Sequence, residues 1–236
     1  MEPLKIISAS MRTCENLGNL KANFNVNLNG VALAMQLVER KDGKGMFLGM
    51  PQEKGTDGKY YEKAGFTSSP AGQALRGALT QTALDMYKSL REAAEKDGVP
   101  VAATINGSKT KEEKEAEVAA NIPDVKIYAV GDMNSPGKGG YIGKVDAIVG
   151  DALRLRGVSV FEKENGGKSF AFAENAKGFP IAAPVSVALH KAIKDVAEKI
   201  IPREIAKTHA RNEYVRANEG MKIETQAPQK EAQPVI

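Results

Sequence analysis

The 236-residue chain has one cysteine (Cys14), no tryptophan, and two histidines (His190 and His209). A single cysteine excludes an intrachain disulfide and any site built from several thiolates. A chain without disulfides points to a reducing, cytoplasmic setting. The histidines lie about nineteen residues apart with no clustered carboxylates, which is not the spacing of a metal-ligand set. Ser186 and Asp195 flank His190 at intervals that a helix does not assemble into a triad, and there is no nucleophile elbow. Cys14 has no visible basic surroundings to activate it. No stretch approaches the ~18 apolar residues of a membrane span, and no basic segment followed by an apolar run opens the sequence. A non-enzymatic protein without metal or cofactor and away from membranes is therefore expected. Charge of one sign is also scarce: 33 Lys and Arg stand against 29 Asp and Glu, for a net +4 and a pI near 9.0. That mild excess is compatible with a polyanionic partner without requiring one.

What is present is a segment that occurs twice. Residues 42–55 overlay residues 165–178 so that Gly43 meets Gly166, Phe47 meets Phe170, Lys54 meets Lys177 and Gly55 meets Gly178. The offset is about 123 residues, the size of a small domain rather than a solenoid repeat. With 42% hydrophobic residues, the chain has enough apolar material for two small units sharing an interface.

The flanking pattern supports two units of similar order. Residues 3–12 read as a first strand. In residues 19–28, Leu20, Ala22, Phe24, Val26 and Leu28 alternate with Asn19, Lys21, Asn23, Asn25 and Asn27. Strict alternation marks an antiparallel strand with one dry and one wet face. Asn29-Gly30 is a two-residue hairpin signal. Strands are expected over 31–40 and 46–50, with Pro51 ending the latter and Tyr60-Tyr61 in a short further strand. Ser69-Pro70 then opens a helix to about Lys96, with Leu75, Leu79, Thr82, Met86 and Leu90 on its dry stripe.

Residues 99–122 read as a connector, in which the charged run Lys109–Glu117 could form a short solvated helix. Strands are expected again from Val125 and over 141–149, 153–162 and 168–173. A second helix is expected to open at Pro184, without a capping serine because Ala183 precedes it, after a loop about nine residues shorter. Pro202 is expected to end or kink it, with a further helical piece over 203–216. Residues 217–236 read as a disordered polar tail. The expected fold is α+β, with similar antiparallel sheet-plus-helix units at 1–98 and 123–216 forming a pseudo-dimer.

The run Gly45-Met46-Phe47-Leu48-Gly49-Met50-Pro51, then Asp57-Gly58-Lys59-Tyr60, then Ser68-Ser69 at a helix start, resembles the SpoVG (stage V sporulation protein G, septation regulator) family over about residues 3–92. A fainter resemblance returns over 124–201, where residues 152–162 look like that family's third strand. The resemblance implies small modules that pair through their sheets and bind DNA or RNA. It makes this chain a covalent pseudo-dimer, a sensible arrangement because fusion raises the effective concentration of the second half. In the family an adjacent Lys-Arg pair follows the Met-Pro. Here those positions are Glu53 and Lys54 in the first unit, and Ala176 and Lys177 in the second. Phosphate attraction at the Glu53 loop is then close to nil unless Lys44, Lys59 or Lys63 lies alongside.

The candidate nucleic-acid-binding residues are Lys44, Lys54, Lys59, Lys144, Arg154, Arg156 and Lys177. Arg154 and Arg156 alternate on one strand and with Lys144 could form a basic sheet face, or an ordinary wet one. Phe47 and Phe170 are expected to pack in the core rather than stack on bases. The cations of the last helix, interleaved with acids, read as a salt-bridged wet face. The glycine-rich run 131–140 has the wrong spacing for a phosphate loop and reads as a hairpin loop. The alternative function is an accessory factor, of phage or mobile-element type, that binds a host protein or small ligand. Further self-association of the pseudo-dimer is left open.

Overall fold

Alternating sequence yields strands that bury one face. In the computed structural model, which describes residues 4–14, 17–97, 102–175 and 177–224, the first three strands are β1 (Ile6–Thr13), β2 (Leu20–Leu28) and β3 (Val31–Glu39). Ile7, Met11, Phe24, Leu33 and Leu37 point inward and are buried. Asn29 and Gly30 join β2 to β3 with φ of 44° and 88°, the paired positive angles of a tight hairpin turn. β4 (Met46–Gly49) adds to β3. A separate hairpin follows, β5 (Gln52–Lys54) with β6 (Tyr60–Glu62), and then β7 (Ala64–Phe66). Helix α1 (Pro70–Asp97) buries Leu75, Leu79, Ala83, Met86 and Leu90.

The second half begins with β8 (Ala103–Ile105) and α2 (Lys111–Ala120), followed by β9 (Val125–Val130), β10 (Tyr141–Val149), β11 (Leu153–Glu162) and β12 (Lys168–Ala171). The glycine-rich run 131–140 links the antiparallel pair β9 and β10, as a hairpin loop does. β13 (Ala173–Glu174), β14 (Pro180–Pro184) and the long helix α3 (Val187–Glu224) complete the order. The fold is α+β, with antiparallel sheets and a C-terminal helix.

Strand pairing crosses the halves in both directions. One seven-stranded sheet runs β13-β14-β3-β2-β1-β8, with β4 also on β3. A five-stranded sheet runs β12-β11-β10-β9, with β7 also on β11. Thus β7 leaves the first half to pair Ala64 with Leu155 and Phe66 with Leu153. Reciprocally, β14 leaves the second half to pair Ala182 with Leu33 and Pro184 with Val31. One core contains residues of both sheets and all three helices. Helix α1 packs on β1, β4 and β7, and α3 packs on β9, β12 and β14.

Four details differ from the sequence reading. Pro184 belongs to β14, not to a helix. The helix starts at Val187 and does have a capping serine, Ser186, whose Oγ accepts the Leu189 N–H at 3.3 Å. Pro184 misled because a proline before a helical stripe suits both a first helical turn and an edge-strand end. The 99–122 segment is more than a connector. β8 closes the edge of β1, and α2 carries a Thr110–Glu113 capping box and docks on α3. Pro202, which is exposed, does not end α3, and the helix continues over 203–216 as expected. Its backbone stays helical to Glu224, so residues 217–224 are not tail-like; residues 225–236 lie outside the described residues.

Candidate nucleic-acid interface

The seven predicted cations fall on two surfaces. Lys144 on β10 and Arg154 and Arg156 on β11 share the outer face of the five-stranded sheet. That face is largely neutralised. Arg154 binds Asp146 through Nε at 2.7 Å and a terminal nitrogen at 2.6 Å. The other Asp146 oxygen accepts the Gly157 N–H at 2.7 Å. Gly157 has φ 62°, and the register slips between Val145 and Ala147, so Arg156 and Gly157 together oppose the single residue Asp146. This is a β-bulge with a carboxylate clamped across it, and Arg154 is part of the clamp. Arg156 lies over Gly65 and faces Glu62 at 3.9 Å. Lys126, on the same face, binds Asp151 at 2.6 Å. Only Lys144 among these four lacks an acid partner within the described residues.

The other predicted lysines sit on turns and hairpins, exposed. Lys44 occupies the β3–β4 turn, where its N–H is held by Asp42. Lys54 and Lys59 lie on the β5–β6 hairpin, and Lys177 on the turn between β13 and β14. None of the four has an acid partner among the described residues. Glu53, the acid beside Lys54, is taken by Lys63 at 2.6 Å. Lys63 does lie alongside, so Lys54 stands as the uncompensated charge of its strand. The hairpin is braced by Tyr61, whose hydroxyl donates to Asp57 at 2.6 Å, and by the Lys59 N–H on the same carboxylate at 3.1 Å. The Tyr61 bond chiefly, then the Lys59 amide, holds Asp57 below the usual carboxylate range. Ala176, which aligns with Glu53 when residues 42–55 overlay 165–178, lies outside the described residues.

Between these hairpins lies a groove that the sequence reading did not identify. Its floor is the outer face of the seven-stranded sheet. Two adjoining depressions of about 600 and 630 Å³ share Asn25, Ala34 and Ile181. Register sets the floor in rows: Thr104–Ser10–Asn25–Ala34, then Arg12–Asn23–Gln36–Gly49, with Ser8–Asn27–Ala32 on the far side. Small side chains at Ala32, Ala34 and Gly49 leave the recess open. Phe47, Tyr60 and Phe179 line it and are 39%, 66% and 63% exposed. Neither depression is lined by an aspartate or glutamate, whereas Arg12 and Lys114 line them without an acid partner among the described residues.

Phe47 is therefore not a core residue. It opposes Val38 on the outer face and stacks under Arg40, with the guanidinium 5.9 Å from the ring centre. Phe170 opposes the buried Val160 and packs on the core, edge-on to His190. The two phenylalanines of the repeated segment thus point to opposite faces, because a one-residue register difference flips every side chain. The available signal for the groove was the Asn23-x-Asn25-x-Asn27 wet face. It is amide-lined, where an ordinary solvated face carries charges.

No protein-family model matches the chain, and searches of curated proteins and of solved structures find no match. Among the described residues, no group of three or more His, Cys, Asp and Glu side chains could hold a metal ion, and no helix is long and apolar enough to cross a membrane. Ser186 is engaged as a helix cap and as a donor to Glu115 at 3.0 Å. His209 instead meets Ser135, at 3.4 Å.

Proposed function

We propose that this chain is a non-enzymatic nucleic-acid-binding regulatory protein of SpoVG type, acting in the cytoplasm. Two copies of one sheet-and-helix unit are fused in it as a pseudo-dimer. The reading of two units draws on the reciprocal pairing of β7 with β11 and of β14 with β3, and on the matching serine caps at Ser69 and Ser186. The binding reading draws on a single observation: a groove without acids, flanked by hairpins that carry Lys54, Lys59 and Lys177 without acid partners among the described residues. Phosphates gain from such cations by releasing counterions.

The test is fluorescence anisotropy with labelled DNA and RNA oligonucleotides over a salt series. Affinity should fall steeply between about 50 and about 200 mM salt. The double substitution K54A/K177A should reduce the log–log salt slope by roughly 1.4–1.8, since each removed phosphate contact is worth about 0.7–0.9. Absence of binding at the lowest salt would sink the reading.

A further inference from the structure

We infer that the groove on the seven-stranded sheet takes a single strand of nucleic acid, its bases laid on the Asn/Ser/Gln floor and its phosphates held at the rims. This rests on the nucleic-acid reading above and names the form of ligand that the site accepts.

Three observations carry it. The first is hydrogen-bonding capacity left open. Asn25, Gln36, Ser10 and Arg12 have no side-chain partner among the described residues, although each stands on a rigid central strand. Amides and hydroxyls both donate and accept, so they match the mixed edges of bases. The second is aromatic exposure. Tyr60 and Phe179 stand at the groove with large exposed ring surface, beside Phe47 under its Arg40 guanidinium. Exposed rings beside a polar floor are stacking platforms for unpaired bases. The third is charge. The lining carries Arg12 and Lys114 and no acid, which fits a polyanion and not a neutral or cationic ligand.

The geometry discriminates further between strand forms. Successive floor rows are two residues apart along each strand, about 6.8 Å. That is about twice the 3.4 Å rise of stacked bases in a duplex strand. A strand crossing these rows is held unstacked, with each base on its own row. A duplex turns its phosphates outward and sinks its base edges in grooves, which a concave floor cannot reach. The absence of acids, which leaves Arg12 without an ion-pair partner among the described residues, also distinguishes this surface from the outer face of the five-stranded sheet, where three of the four cations are ion-paired.

The experiment compares one labelled mixed-sequence oligonucleotide as single-stranded DNA, single-stranded RNA and duplex, at equal salt, with the full chain and three variants. Single strands of at least one sugar type should bind tenfold or more tighter than the duplex. Phe179→Ala and Asn25→Ala should each weaken single-strand binding, the first by about five- to a hundredfold, with thermal unfolding unchanged because both side chains lie on the solvent side of the sheet. Lys88→Ala, on helix α1 behind the opposite, buried face of that sheet, should leave it unchanged. Equal or tighter duplex binding, or full single-strand affinity in both groove variants, would overturn the groove assignment while leaving salt-dependent nucleic-acid binding in place. Failure of every oligonucleotide to bind, or salt-insensitive capture of a neutral glycan instead, would remove both readings.

Discussion

Ser69 Oγ donates to the carbonyl oxygen of Asp151 at 2.7 Å and accepts the Gly72 N–H at 3.1 Å. One hydroxyl thus caps the helix of the first half and binds the β10–β11 turn of the second. The opposite junction is built alike: the Val185 N–H donates to the Gly30 carbonyl of the β2–β3 turn at 2.7 Å, immediately before the cap Ser186. Helices α1 and α3 each start on a hairpin turn of the other half, which ties their formation to assembly of the two sheets. Ser69→Ala removes the cap and a bond across the halves. It should cost about 1–2 kcal/mol, read as a lower urea midpoint with unchanged slope. Two separate unfolding transitions in the unsubstituted chain would contradict the coupling.

Gly30→Ala should be worse than Gly43→Ala, although both glycines have positive φ, 88° and 68°. A β-carbon at Gly30 would stand 2.6 Å from Ser186 Cβ and 3.0 Å from Val118, whereas at Gly43 it meets open space. The first change forces the α3 cap and α2 apart; the second costs only backbone strain, about 1 kcal/mol. The difference between the two unfolding free energies measures the packing at this junction. Equal values would show that the turn yields freely.

Glu115 on α2 closes the α3 N-terminus. It accepts the Ala188 N–H at 2.9 Å, the Ser186 hydroxyl at 3.0 Å and the Val187 N–H at 3.2 Å. The Ala188 amide chiefly, with Ser186 and Val187 adding and partial burial opposing, holds the Glu115 carboxyl below its ordinary range. A depressed folded-state value means that the unfolded chain binds the proton more readily. The stabilisation is therefore complete above the unfolded value of about 4.3 and is lost as pH falls through the folded one. Glu115→Gln should cost about 0.3–1 kcal/mol at neutral pH, and the gap to the unsubstituted protein should close as pH falls below the unfolded value and through the folded one. Urea titrations across that range check it; a gap that is constant with pH would refute it.

Arg154→Ala should act on stability and Lys144→Ala on neither stability nor fold. Asp146 is 5% exposed and its carboxylate is held by Arg154 and the Gly157 amide. Removing the guanidinium leaves a buried charge half-satisfied, at a cost of about 1–3 kcal/mol. Lys144 is exposed without an acid partner among the described residues. Thermal unfolding of the two variants separates the roles.

Local physics alone determined much of the chain. Alternation placed β2 and the parallel order of the two halves placed β10 and β11 within a residue or two of their observed ends, Asn29-Gly30 named its turn, and the Leu75–Leu90 stripe named α1. Those signals depend on residues near one another, where side-chain period and backbone angle are set. Which sheet a strand joins was decided only by tertiary structure. β7 and β14 are three and five residues long, and nothing in so short a segment says that it pairs across the halves. The candidate site divided the same way. The wet Asn face and the hairpin lysines were visible in sequence. The groove over that Asn face, the loss of Arg154 to Asp146 and the outward turn of Phe47 were not. Each depends on register and on partners far along the chain, and a one-residue shift reverses the face that a side chain presents.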